Sequence, residues 1–183
     1  MTSVSKYAQA PASAPPLGAQ NLHRRTCLAA ALGVIIFTSN RALAQSKHTR
    51  QAIKTVVLFN TSTWPRLLRD GPRPAAYVFT TTYCPTCPEA FEALNDAVVA
   101  AHKKVELSAV VMDVTGARAL AHAHHYAGAT RIYAFDGFEP EIRQTVDPKW
   151  RNVTPYIVLI DRQGAVQRSI GPPSAAQLKA WLA

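Results

Sequence analysis

The chain alternates between short apolar, β-branched runs and segments whose apolar residues recur at helical spacing. Lys54–Asn60 (KTVVLFN) predicts a short edge strand. Thr63–Asp70 (TWPRLLRD) predicts one or two helical turns, capped by Thr63 and ended by Asp70-Gly71-Pro72. Ala75–Thr82 (AAYVFTTT) is continuously apolar and β-branched, the pattern of a strand buried on both faces. It runs straight into Tyr83-Cys84-Pro85-Thr86-Cys87-Pro88, after which Phe91, Leu94, Val98 and Ala101 mark a helix reaching about Lys104. Val105–Val114 reads as a second buried strand and Ala117 to about Tyr126 as an alanine-rich helix. Arg131–Trp150 reads as irregular, and Tyr156–Asp161 as a third strong strand.

Asp161–Gly164 is a turn, and Ala165–Ile170 alternates as a strand that pairs back in a hairpin. Gly171-Pro172-Pro173 breaks the chain before a last helix, capped by Ser174, with Leu178, Trp181 and Leu182 on its apolar face. Strands that alternate with helices predict an α/β sheet covered on both faces, and the terminal hairpin adds an antiparallel edge. No internal repeat is present.

Length changes this picture little: 183 residues suffice for one domain and a modest appendage. Residues 1–44 carry Lys6, Arg24, Arg25 and Arg41 and no Asp or Glu. An apolar stretch runs from about Cys27 to Phe37, and Ala42-Leu43-Ala44 supplies a small-x-small cleavage pattern. The stretch is shorter than the roughly 20 residues a membrane-spanning helix needs. Residues 1–44 are therefore expected to be a signal peptide cut near Ala44, with 45–53 a flexible leader and 54–183 the folded domain. Arg24-Arg25 followed by Leu28 resembles a twin-arginine export signal, with His23 and Cys27 at positions where other residues are commoner. An exported, periplasmic location follows.

Without that segment sixteen Lys and Arg face eleven Asp and Glu, a net charge of +5 against +9 for the whole chain. No basic run with interleaved aromatics occurs, so nucleic acid is not an expected partner. No glycine-rich phosphate loop and no Ser-His-Asp pattern appears.

Of three cysteines, Cys27 falls in the expected signal, leaving Cys84 and Cys87. A pair so close in sequence constrains the unfolded chain little, so its purpose is reactivity rather than stapling. Where a buried strand hands over to a helix, Cys84 is expected at the helix N-terminus, whose free N–H groups and dipole favour a thiolate. Pro85 would take the first helical position. Cys87, one turn on and more enclosed, would resolve the mixed disulfide that Cys84 forms. A structural zinc site needs about four ligands, and no second Cys pair or matching His pair follows. Use of the two thiolates as soft ligands for Cu(I) delivery stays as the alternative from another class.

Tyr83-Cys84-Pro85-Thr86-Cys87 after a buried strand, Thr154-Pro155 before another, and the closing hairpin plus helix together resemble the thioredoxin superfamily over residues 54–183. That resemblance implies a thioredoxin-like fold, a central mixed sheet with helices on both faces and a C-terminal β-hairpin plus helix. It implies that Pro155 is a cis-proline facing the cysteines and that the Thr154 backbone hydrogen-bonds an extended substrate. Cys-Pro-Thr-Cys, and the 71 positions separating Cys84 from Pro155, resemble the exported branch that reduces periplasmic thiols, including cytochrome c maturation reductases. The implied protein is an enzyme, a thiol–disulfide oxidoreductase acting on protein disulfides. It would be re-reduced by a membrane-bound electron donor, and would act as a monomer with no cofactor or resident metal. Oxidase or isomerase action is the same exchange run the other way.

Two departures from the family stand out. Tyr83 replaces the usual Trp, and Val78 falls where thioredoxins carry a buried acid. Glu89 or an acid of Arg131–Trp150 would then take the Cys87 proton. His122, His124 and His125 read as an exposed polar helix face, though His122 and His125 share a side. The aromatics of Arg131–Trp150 either form a lip beside the cysteines or cover the sheet, and Asp136, Glu139 and Glu141 are expected in solvent.

Overall fold

The computed structural model describes residues 53–183. The chain divides into two units, Met1–Ser46 and Lys47–Ala183, and the described residues all belong to the second. The expected signal, and all of the expected leader except Ile53, lie outside the described residues.

Twelve elements follow one another: β1 (Val56–Phe59), α1 (Thr63–Asp70), β2 (Ala75–Thr80), α2 (Cys87–Ala100), β3 (Glu106–Val111), α3 (Gly116–His122) with a 3₁₀ turn over Ala123–His125, β4 (Arg131–Phe135), α4 (Glu139–Val146), β5 (Tyr156–Ile160), β6 (Val166–Ile170) and α5 (Ala175–Trp181). One sheet holds all six strands in the order β1-β4-β3-β2-β5-β6. β1, β4, β3 and β2 run parallel, while β5 pairs antiparallel with β2 and β6 with β5.

Side-chain alternation splits the core in two. Ala75, Tyr77 and Phe79 of β2 join Tyr156, Val158 and Ile160 of β5 under α1 and α4, with Trp64, Leu67, Ile142 and Val146 from those helices. Ala76 and Val78 join Ile157 and Leu159 on the other face, under Ala90, Phe91 and Leu94 of α2, Ala119 of α3 and Trp181 of α5. Every residue of β2 is buried, as its unbroken apolar run predicts. Among the described residues no helix is long and apolar enough to cross a membrane.

Three expectations need correcting. Arg131–Trp150 is not irregular: it holds β4, which lies between β1 and β3, and α4. The five-residue strand is fixed by neighbours on both sides, Ile132 standing opposite Val56 and Ala109, which is tertiary information that a local pattern lacks. The α1 cap is not made by Thr63. Asn60 Oδ1 instead accepts from the Ser62 N–H at 3.1 Å and the Thr63 hydroxyl at 3.2 Å, and Thr63 Oγ1 accepts the Asn60 N–H at 3.0 Å. The third concerns the start of α2, described with the site. The expected Ser174 cap forms as a reciprocal box, Gln177 N–H to Ser174 Oγ at 3.3 Å and Ser174 N–H to Gln177 Oε1 at 2.9 Å.

Two buried polar aromatics contrast in how they are satisfied. The Trp181 indole N–H is shared between the carbonyls of Ala75 (3.0 Å) and Ile160 (3.2 Å), tying α5 to β2 and β5. The Tyr77 hydroxyl is buried without a partner among the described residues. Trp181→Phe is expected to cost about 2 kcal/mol, through a lost donor and a small cavity. Tyr77→Phe is expected to be neutral or stabilising by up to about 1–2 kcal/mol, because it removes an unsatisfied group. Urea unfolding of both variants checks the pair; a large loss in Tyr77→Phe would show that the hydroxyl is satisfied after all.

Candidate active site

The cysteines stand in the link from β2 to α2, built from two successive turns. The Cys84 N–H donates to the Thr81 carbonyl at 3.2 Å, and the Cys87 N–H to the Cys84 carbonyl at 3.4 Å. The first α-type bond of the helix is Ala90 N–H to Thr86 carbonyl at 3.1 Å, with Thr86 at the N-cap position. α2 therefore begins at Cys87, not at Pro85, and the proline in its first turn is Pro88 rather than Pro85. Pro85 occupies the second place of the Cys84–Cys87 turn, where its fixed φ suits the bend. Cys84 remains just ahead of the helix N-terminus, so the dipole still acts on its sulfur.

Cys84 and Cys87 form a disulfide, with their Cα atoms 5.5 Å apart. The two sulfurs differ in access: Cys84 is half-buried and Cys87 fully buried. Thr86 Oγ1 lies 3.9 Å from Cys84 Sγ, and Tyr83 projects into solvent at 75% exposure. Asp113, just past β3, holds the approach to the turn, accepting the Thr82 N–H at 2.9 Å and the Thr82 hydroxyl. Nothing in the sequence marked this role for Asp113; β3 delivers it by lying parallel to β2.

The pairing of β2 with β5 brings the second motif alongside. Phe79 stands opposite Tyr156, so Pro155 and Thr154 continue level with Thr80 and Thr81, directly before the cysteine turn. The Thr154–Pro155 peptide is cis, as is Arg73–Pro74. The Pro155 carbonyl accepts the Gly171 N–H at 2.9 Å. Among the described residues nothing hydrogen-bonds the Thr154 backbone, and this residue is partly exposed.

The proton acceptors expected for Cys87 are not buried. Val78 is fully enclosed, no carboxylate is buried among the described residues, and Glu89 is exposed on the first turn of α2. Asp147 is the most engaged acid of the 131–150 segment. It accepts the Tyr156 hydroxyl at 2.5 Å and the Lys149 N–H at 2.8 Å, with Arg168 at 3.6 Å. Burial pushes its carboxyl up, but the Tyr156 hydroxyl, the Lys149 N–H and Arg168 outweigh that and hold it below the ordinary range. It is a fixed anion rather than a proton store. Glu139 is half-buried and paired with Arg143, whereas Asp136 and Glu141 are exposed.

The aromatics of that segment mostly cover the sheet: Tyr133, Phe135 and Trp150 are buried, and Phe138 alone is exposed. The histidines also differ from a plain polar face. His122 is half-buried, its Nε2 3.3 Å from the Tyr126 hydroxyl, which lies 2.7 Å from the Thr80 hydroxyl at the end of β2. Burial, and then the neighbouring His125, pushes the His122 imidazole pKa below its ordinary range. His124 and His125 are exposed. Among the described residues no cluster of three or more His, Cys, Asp or Glu side chains is arranged to hold a metal ion.

No family model matches the chain, and no curated protein matches it. Solved structures do. A secreted Mycobacterium tuberculosis disulfide oxidoreductase homologous to Escherichia coli DsbE is 17% identical, over 60% of this chain and 80% of its own, with a TM-score of 0.44. A DsbE described as a putative thiol:disulfide interchange protein, from Chlorobium tepidum, is 23% identical over 61% and 81%, with a TM-score of 0.45. A Thermus thermophilus thio-disulfide isomerase is 21% identical over 63% and 81%, with a TM-score of 0.47. The strand order, the helices on both faces, the cysteine turn at the end of β2 and the proline ahead of β5 make the described fold thioredoxin-like.

Proposed function

We propose that this protein is an exported thiol–disulfide oxidoreductase that reduces disulfides in other proteins, with Cys84 the attacking and Cys87 the resolving sulfur. One observation carries the reading: a Cys84–Cys87 bridge whose first sulfur is partly exposed and whose second is buried, beside an unpartnered Thr154 backbone. In the reduced protein the Cys84 thiolate attacks a substrate disulfide. A mixed disulfide forms, and one substrate sulfur leaves as a thiolate that takes up a proton. Cys87 then loses its proton and attacks Cys84 Sγ. This closes the Cys84–Cys87 bond and frees the second substrate sulfur. Two electrons pass to the substrate, and a membrane-bound donor has to return them, because the periplasm is kept oxidising.

Tyr83, Pro85, Thr86, Thr154 and Pro155 support the site in this reading: Pro85 and Thr86 shape the turn, and Thr154 offers its backbone to the substrate chain. Residues 1–44 serve as the export signal, 45–53 as a leader, and 54–183 as a domain that works as a monomer without a cofactor. The reducing direction draws on the resemblance of Cys-Pro-Thr-Cys to exported reductases.

Insulin-disulfide reduction is expected to disappear in Cys84→Ser, while Cys87→Ser accumulates a mixed disulfide visible on non-reducing gels. Activity surviving in Cys84→Ser would remove the mechanism. The reduction potential, measured in glutathione or dithiothreitol buffers, is expected at or below about −230 mV. A value near about −120 mV would make the protein a disulfide donor instead.

A further inference from the structure

The four residues ahead of Pro155 lie outside any element. Arg151, Asn152 and Val153 are exposed, and Asn152 adopts φ +61°, so no ladder holds this stretch in place. Backbone groups bind a partner strand well only when their direction is fixed beforehand, since ordering them on binding consumes affinity. Some contact has to fix Thr154, and one bond reaches the loop from inside: the Trp150 indole N–H donates to the Val153 carbonyl at 3.0 Å.

The Trp150 ring is itself locked. It is 5% exposed, stacks on Tyr156 with centroids 4.3 Å apart at 15°, and meets Phe79 edge-on at 5.1 Å. The Arg143 guanidinium lies 5.8 Å from the ring centre, and its Nη1 donates to the Trp150 carbonyl at 3.2 Å. Phe79 belongs to the strand that ends in the cysteine turn, and Tyr156 follows Pro155. One rigid aromatic stack therefore references the loop to both halves of the site.

We infer that Trp150 is a positioning residue for substrate, its N–H holding Val153 so that the Thr154 backbone meets an extended peptide in a fixed orientation. This role rests on the exchange reaction proposed above. It also separates two kinds of substrate. A polypeptide disulfide uses the Thr154 edge, whereas a small disulfide without a peptide backbone, such as hydroxyethyl disulfide, needs only Cys84.

Trp150→Phe keeps a ring between Tyr156 and Phe79 and removes the donor. One lost hydrogen bond is worth about a fivefold change. KM for insulin is therefore expected to rise about fivefold with kcat little changed. The rate with hydroxyethyl disulfide and the reduction potential should stay as in the wild type. Equal losses with both disulfides would overturn the role, since Trp150 would then act only by supporting the fold. An unchanged KM for insulin would overturn it as well. Asn152→Gly provides a second route should the core variant fail to fold. Glycine accepts φ +61° without strain but loosens the loop, so KM for insulin is expected to rise by about twofold with hydroxyethyl disulfide unaffected; no selective rise would count against the role. A wild-type protein that reduces neither disulfide would remove the exchange reaction itself.

Discussion

The chemistry of this chain rests on the register that sets Phe79 against Tyr156 and Ala75 against Ile160. β2 carries the cysteines at its exit and β5 carries Thr154-Pro155 at its entrance, so only antiparallel pairing in this register brings them to one end of the sheet. A slip by one residue would move every side chain of β5 to the opposite face. Two tryptophans bracket the pairing. Trp181 bonds the carbonyls of Ala75 and Ile160 at the far end, and Trp150 packs on Phe79 and Tyr156 at the reactive end.

The two faces of the sheet divide the labour. The face under α1 and α4 is aromatic: Phe59, Trp64, Tyr77, Phe79, Tyr133, Phe135, Trp150 and Tyr156 interlock largely edge-to-face. Such rings have few rotamers and hold direction well, which suits the side that props the substrate loop. The face under α2 and α3 is aliphatic, with Val78, Leu107, Ile132, Ile157 and Leu159 beside Ala76, Ala109 and Ala134, and α2 packs on it through Ala90, Phe91 and Leu94, with Cys87 buried at its start. The two sulfurs differ in access accordingly: Cys87 is the first residue of α2 and enclosed, whereas Cys84 stands in the turn ahead of it and is partly exposed.

The cysteine pair, the buried run of β2, the proline ahead of β5 and the terminal hairpin were all legible because each is signalled by contiguous residues. β4 was not. RIYAF is short and begins with an exposed arginine, and it is a strand because β1 and β3 lie on either side. α4 did carry local marks, with Glu139 and Glu141 in its first turn and Pro140 near its start, but its only buried residues, Ile142 and Val146, make a single i, i+4 pair. The start of α2 was misjudged by two residues because Cys84–Cys87 closes as a separate turn before α-type bonding begins. Asp113 lies 31 positions from Thr82, which it holds, and Trp150 reads as ordinary core, so spacing alone reveals neither role.

The balance of charge around Cys84 bears on which way electrons run. The N-terminus of α2 favours a thiolate there, and a favoured thiolate stabilises the reduced pair, which makes a disulfide more oxidising. Two carboxylates oppose it. Glu89 lies in the first turn of the same helix, and Asp113 is fastened to Thr82, two positions before Cys84. Val78 adds no charge from beneath. Carboxylates on this side of the turn work against the helix terminus, and the reduction potential of the pair reads the balance between them.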